Sequence, residues 1–173
     1  MSVGTVLLAP GASGSVERLA PHADGLRARG LAVELVRLPR GTAERALPAY
    51  RTALTGRDPA TTAIGGQSFG GRVASLVAAE VAPAALLLLS FPLHAPGRHE
   101  AWDARTEHWP AVHCPVLLLS GESDPFARID LLRRAVDRLP DHELVTWPGL
   151  GHGLGPVLDR ALDAIASFLD RRA

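Results

Sequence analysis

Four consecutive leucines inside "AALLLLS" (84–90) limit what this chain can fold into more than any other feature. A strand with one wet face alternates apolar and polar side chains, so a short run that is apolar at every position reads as a strand covered on both faces. The runs "VGTVLLA" (3–9) and "PVLLLSG" (115–121) have the same character, and further apolar runs stand at 31–38, 61–66 and 142–147. Between them lie helical patterns. Residues 15–29 carry Val16, Leu19, Ala23 and Leu26 at spacings of three and four and close on Gly30, and 42–54, 69–80, 128–138 and 156–171 read similarly. Strand and helix in alternation predict an α/β fold: a single domain spanning 1–173, three layers, about six mostly parallel strands, helices on both faces and right-handed crossovers. The stretch 91–114 shows no clear element and is rich in proline, histidine and tryptophan. A connection that long is expected to be functional or to hold a short helix.

Composition removes several classes of function. Acidic and basic residues balance at 18 each, which gives no field to attract nucleic acid or an anionic membrane, so neither is expected as a partner. No run is long enough to cross a bilayer, and no basic stretch precedes the first apolar run, so neither anchor nor signal peptide is expected. The single cysteine, Cys114, cannot form an internal disulfide, and 47% apolar residues supply a core without one; a reducing, cytoplasmic setting is the expectation. Every basic residue is arginine, which excludes a lysine Schiff base.

In open parallel sheets ligands bind beyond the carboxyl ends of the strands. There the segment "AIGGQSFGGRVA" (63–74) places Ser68 among four glycines, after an apolar run and before a helical pattern. Gly66, Gln67, Ser68, Phe69 and Gly70 form a GxSxG turn, in which the serine takes an unfavourable backbone conformation and its flanking residues must be small. The helix that follows aims its first amides at the place where negative charge develops in acyl transfer.

A serine needs a base, normally histidine oriented by a carboxylate. "LLLSGESDPF" places Asp124 just past one strand, with Glu122 and Asp130 as alternative acids, and "VTWPGLGHGLG" places His152 in a glycine-rich loop past the next. Asp124 is preferred because the following proline turns the loop away from helix. An oxyanion hole takes one amide from the residue after the nucleophile, Phe69, and one from the loop after the first strand, for which Ala12 in "LLAPGASGS" is the candidate. Gly11, Gln67 and His94 are candidate substrate-binding residues, and Ser15 is placed to cap the following helix.

These motifs resemble the α/β-hydrolase superfamily, and more closely its small, cap-less members similar to dienelactone hydrolases. The stretches "SFPLHAPGR" and "RTEHWPAVHCPVLLLSGESDPFA" look like a branch of short bacterial hydrolases related to a domain of eukaryotic chromatin-complex subunits. The resemblance covers nearly the whole chain. It implies Ser68, Asp124 and His152 as nucleophile, acid and base, a sheet that begins at the superfamily's third strand, and an open site without a large lid. Pro10 stands where relatives often carry histidine, and Ser68 stands where dienelactone hydrolases carry cysteine, so that activity is not carried over.

The remaining candidates are weaker. Arg98 is placed to grip an anion or to lie on the surface; Trp102 and Trp109 to wall a pocket or to pack a short helix. His108, His113 and Cys114 lack a fourth ligand at zinc-like spacing. The expectation is a serine hydrolase acting on a small ester, thioester or similar acyl compound, with no metal and no cofactor and with oligomeric state open. The rival class is a binding or scaffold protein that keeps the fold without the chemistry.

Overall fold

The computed structural model describes residues 3–172. Strands β1 (Thr5–Ala9), β2 (Val33–Leu35), β3 (Thr62–Gln67), β4 (Ala85–Leu89), β5 (Val116–Gly121) and β6 (His142–Trp147) form one sheet in the order β2-β1-β3-β4-β5-β6, and all five pairings are parallel. The leucine run is β4, paired on both edges. Leu86 and Leu88 enter the core on one face while Leu87 and Leu89 enter the core on the other, as the period of two demands. Helices α1 (Ala20–Arg27) and α6 (Leu158–Arg171) cover the second face. Helices α2 (Ala43–Leu54), α3 (Phe69–Ala78) and α5 (Ile129–Ala135) cover the first, together with the short α4 (Trp102–Arg105).

Two expected helices are broken up. The pattern from 15 begins as a 3-10 turn, Val16–Leu19, because Pro21 has no amide hydrogen to bond back to Glu17; the α-helix proper starts with Pro21 in its first turn. Ser15 does not cap it: its hydroxyl donates to the Glu17 carboxylate at 2.7 Å. The 128–138 pattern ends in a 3-10 turn after Ala135, and 91–114 contains α4 between two further 3-10 turns.

From β1 the chain moves outward to β2, then returns across β1 to β3 and continues in the opposite direction. The winding reverses between β1 and β3, and a crevice opens at their carboxyl ends. Tyr50 of α2 closes the seam from one face. Its buried hydroxyl lies between the Leu7 and Gly65 carbonyls, at 3.0 and 2.7 Å, and accepts the Gly65 N–H at 2.9 Å; burial pushes the phenol's pKa up.

Two histidines should make the fold acid-sensitive. His22 is buried in α1 with neither ring nitrogen hydrogen-bonded, and burial lowers its pKa. His108 is pushed down to about 4 by burial and then by the charge of Arg72, while its Nε2 lies 2.8 Å from the Ser75 hydroxyl. Both hold a proton more weakly folded than unfolded. Their stabilising neutral state is therefore complete above the unfolded value of about 6.5 and is lost as pH falls towards 4. The melting temperature should drop between pH 7 and pH 4.5. His22→Leu, which removes two unsatisfied nitrogens, should raise stability at pH 7 by about 1–2 kcal/mol and reduce the acid loss; a lower melting temperature for this variant at pH 7 would refute the assignment.

Candidate active site

Ser68 stands between β3 and α3, at the mouth of that crevice, with φ 49° and ψ −115°. Only a turn free of neighbouring side chains holds an L-residue in this strained conformation, at a cost of order 1–3 kcal/mol. A Cβ on Gly66 would stand 2.6 Å from the Ala9 carbonyl oxygen and 2.5 Å from the Gly70 carbonyl carbon, and one on Gly70 would meet the Ala9 and Pro10 carbonyls. The end of β1 therefore packs directly on the backbone of the serine turn. The Ser68 N–H continues the sheet by donating to the Leu89 carbonyl at 2.8 Å.

The structure brings Ser68, His152 and Asp124 together. His152 Nε2 lies 2.9 Å from Ser68 Oγ, and Nδ1 lies 2.8 Å from Asp124 Oδ2. An ionised carboxylate only accepts, so the neutral ring carries its proton on Nδ1 and donates it to Asp124; Nε2 then accepts from the serine hydroxyl. The Asp124 side chain is fully buried, and its second oxygen accepts the Phe126 N–H at 2.8 Å. The His152 ring remains about a quarter exposed and packs on the Phe126 ring, with centroids 4.6 Å apart. The two alternative acids are occupied elsewhere: Glu122 by Thr146 and Arg133, Asp130 by Arg128.

Backbone bonds fix the loops that carry these groups. The Glu122 and Ser123 amides donate to the Trp147 and Leu150 carbonyls, at 3.0 and 2.9 Å, tying the Asp124 loop to the His152 loop. The Gly153 amide donates to Ser90 Oγ at 3.2 Å, which ties the His152 loop to the end of β4. Ser90 is fully buried with φ 52°, the other non-glycine residue with positive φ among the described residues. Ser90 and Phe126 carry no motif that marks them; a polar residue ending an all-apolar run is the signal for Ser90, and the "DPF" turn, which delivers the Phe126 amide to Asp124, is the signal for Phe126.

Ser68 lies where two hollows meet. The larger, about 310 Å³, is lined by Gly11, Ala12, Gln67, Phe126 and His152 among others. The smaller, about 170 Å³, is lined by Ala12, Phe69, Arg72, Pro92, Ala95, Arg105 and Phe126 and not by His152. Gly11, Gln67, Ala12 and Phe69 thus each line a hollow together with the serine. His94 does not. It has no exposed surface, its Nδ1 lies 2.9 Å from the Ala95 carbonyl and its Nε2 accepts the Arg128 amide at 3.0 Å, so both nitrogens are consumed in holding the loop. Trp109 is buried against Phe91, Trp102 lies under Arg134 and Arg138, and Arg98 is exposed beside Glu100. Among the described residues no three His, Cys, Asp or Glu side chains gather as a metal site would require, and no helix is long and apolar enough to cross a membrane.

A family model described as an alpha/beta hydrolase domain matches residues 34–163. The chain belongs to the alpha/beta hydrolases. An uncharacterized protein of Mycobacterium tuberculosis is 36% identical over 132 residues, 67% of this chain and 47% of the relative, so the chain spans about half the length of the curated relative it matches. Among solved structures, this alpha/beta hydrolase fold is similar to a monoacylglycerol lipase of Paleococcus ferrophilus (TM-score 0.83, 16% identity, 98% of this chain and 95% of that one). It is also similar to Est1E of Butyrivibrio proteoclasticus (0.80, 16%, 99% and 88%) and to the Pyrococcus furiosus esterase Pf2001 (0.79, 18%, 98% and 83%). At such identities the likeness concerns the fold.

The glycine wall yields a stability test. Gly70→Ala must displace the backbone at Ala9 and Pro10 and should cost about 2 kcal/mol or more, whereas Gly151→Ala, whose added carbon meets nothing within 4 Å, should stay within about 0.5 kcal/mol. Denaturant melts of the two variants that show equal losses would remove the close contact as the reason for glycine at 70.

Proposed function

We propose that this chain is a serine hydrolase that cleaves small esters, thioesters or related acyl compounds through an acyl-enzyme. The observation that carries the reading is the unbroken chain of contacts from Ser68 Oγ through the His152 ring to the buried Asp124 carboxylate, at 2.9 and 2.8 Å. Such a chain serves to take a proton from a hydroxyl as it becomes a nucleophile.

In this mechanism Ser68 Oγ forms a bond to the substrate carbonyl carbon while its proton passes to His152 Nε2. Asp124 holds the ring in orientation and stabilises the imidazolium. The carbonyl oxygen becomes an oxyanion, and the Phe69 and Ala12 amides are assigned to it; as the first residue of α3, Phe69 has an amide without an intrahelical acceptor. Collapse breaks the bond to the leaving group, which departs with the proton from His152. A water molecule then gives a proton to His152 and its oxygen to the acyl carbon, and Ser68 recovers its proton as the acid leaves. The chemistry calls for neither metal nor cofactor.

A fluorophosphonate probe should label the native protein and fail on Ser68→Ala, and equal labelling of both would remove Ser68 from the mechanism. Turnover of a short-chain 4-nitrophenyl ester should fall at least about 10⁴-fold in Ser68→Ala and by a comparable factor in Asp124→Asn, which leaves the ring without its acceptor. Because the base must be neutral, the rate should decline on the acid side; a profile that stays flat while the protein remains folded would exclude histidine as the base.

A further inference from the structure

Arginine supplies all 18 positive side chains, and eleven of the eighteen lie within 4.0 Å of a carboxylate. Five of the other seven are exposed, where water screens the charge. The two that are partly buried and lack a carboxylate partner among the described residues are Arg72 and Arg105, and both line the smaller hollow beside Ser68. Arg72 lies one helical turn beyond Ser68 on α3, and Arg105 ends α4.

Withdrawing two like charges from water next to one another is unfavourable unless an anion joins them. The strain registers on the neighbours: burial and then the charge of Arg72 lower the pKa of Arg105, and the same charge depresses His108. The exposed Glu44 carboxylate feels the charge of Arg72 but forms no ion pair with it. One Arg105 nitrogen donates to the Pro92 carbonyl at 2.8 Å, which fixes the guanidinium and leaves its other donors available. The guanidinium of Arg72 makes no hydrogen bond among the described residues.

We infer that the smaller hollow is a subsite for the acyl part of an anionic substrate, in which Arg72 and Arg105 hold a carboxylate at the far end of a short acyl chain attached at Ser68. The inference rests on the hydrolytic role of Ser68 proposed above. The side is assigned by chemistry. A leaving group must receive its proton from His152, so it departs through the larger hollow, which His152 lines; the acyl chain occupies the other. Pro92, Ala95, Phe69 and Phe126 supply apolar wall for a few methylenes, and the volume of about 170 Å³ matches a short chain. The preferred substrates are therefore half-esters or half-thioesters of short dicarboxylic acids, cleaved to the free diacid and an alcohol or thiol.

The test compares 4-nitrophenyl hydrogen glutarate with its neutral methyl-ester isostere, with spontaneous hydrolysis subtracted. In the native protein kcat/KM for the charged ester should exceed that for the neutral one by about tenfold or more, the gain expected of charge-assisted hydrogen bonds. In Arg72→Gln the ratio should fall to within about threefold of one, and Arg105→Gln should act in the same direction. If Arg105→Gln does not fold because it loses the bond to Pro92, the ratio in Arg72→Gln decides. A native protein that labels with fluorophosphonate and hydrolyses both esters equally overturns the subsite and leaves the role of Ser68 intact, as does an Arg72→Gln variant that keeps the native ratio. Absence of both labelling and turnover would instead strike the role of Ser68. Calorimetric titration with glutarate then decides the subsite: saturable binding lost in Arg72→Gln sustains it, and no binding overturns it.

Discussion

The site depends on one close approach, that of the first turn of α3 to the carboxyl end of β1. At Gly66 and Gly70 backbone meets backbone with no room for a side-chain carbon, so the chain leaves β3 and enters α3 within a single residue. That residue is Ser68, and its positive φ follows from the sharpness of the reversal. A gentler turn would relieve the strain and point the hydroxyl elsewhere. The strain of order 1–3 kcal/mol is offset because the elements that force it, β1, β3 and α3, are themselves deeply buried.

The other two groups reach Ser68 because the sheet's hydrogen bonding does not stop where its strands do. Ser68 N–H to Leu89, Ser90 N–H to Leu119 and Glu122 N–H to Trp147 carry the parallel ladder one residue past β3, β4 and β5. Ser123 and Gly153 then stitch the following loops to each other and to Ser90. Asp124 and His152 are thus set by backbone bonds, and the side chains need little ordering of their own, which is the arrangement that favours precise geometry at a reacting centre. The burial of Asp124 and the partial exposure of His152 fit the proposed mechanism, in which one group only orients and the other meets substrate.

Much of this was legible in the sequence. Leucines at consecutive positions specify a central parallel strand because each face needs its own core, and the six apolar runs are the six strands. The meeting of Ser68, Asp124 and His152 was legible because each follows a strand end, and a parallel sheet brings those ends to one rim. What escaped the sequence depended on packing between distant segments. His94 resembles a pocket residue in one dimension, yet the fold seats it under the Arg128 amide, a partner 34 residues away. Ser15 looks like a cap, but Pro21 delays the helix by a turn and leaves the hydroxyl to Glu17. Arg72 carried a readable signal, since residues four apart share a helix face; what makes it matter, the approach of Arg105 from beyond β4, is tertiary.

Placing Ser68 and Arg72 on one helix joins two properties that are usually adjusted separately. The backbone contact that orients the hydroxyl also orients the first turn of α3, and with it the guanidinium one turn further on. The Ser75 hydroxyl, bonded to the Arg72 carbonyl and to His108, anchors the same turn to the 91–114 segment that supplies Arg105. Any shift of α3 that preserved the charge but moved the turn would therefore disturb both the proposed nucleophile and the subsite proposed beside it. Here one helix, through glycine on one side and serine–histidine bonding on the other, fixes both the Ser68 turn and the arginine that lines the hollow beside it.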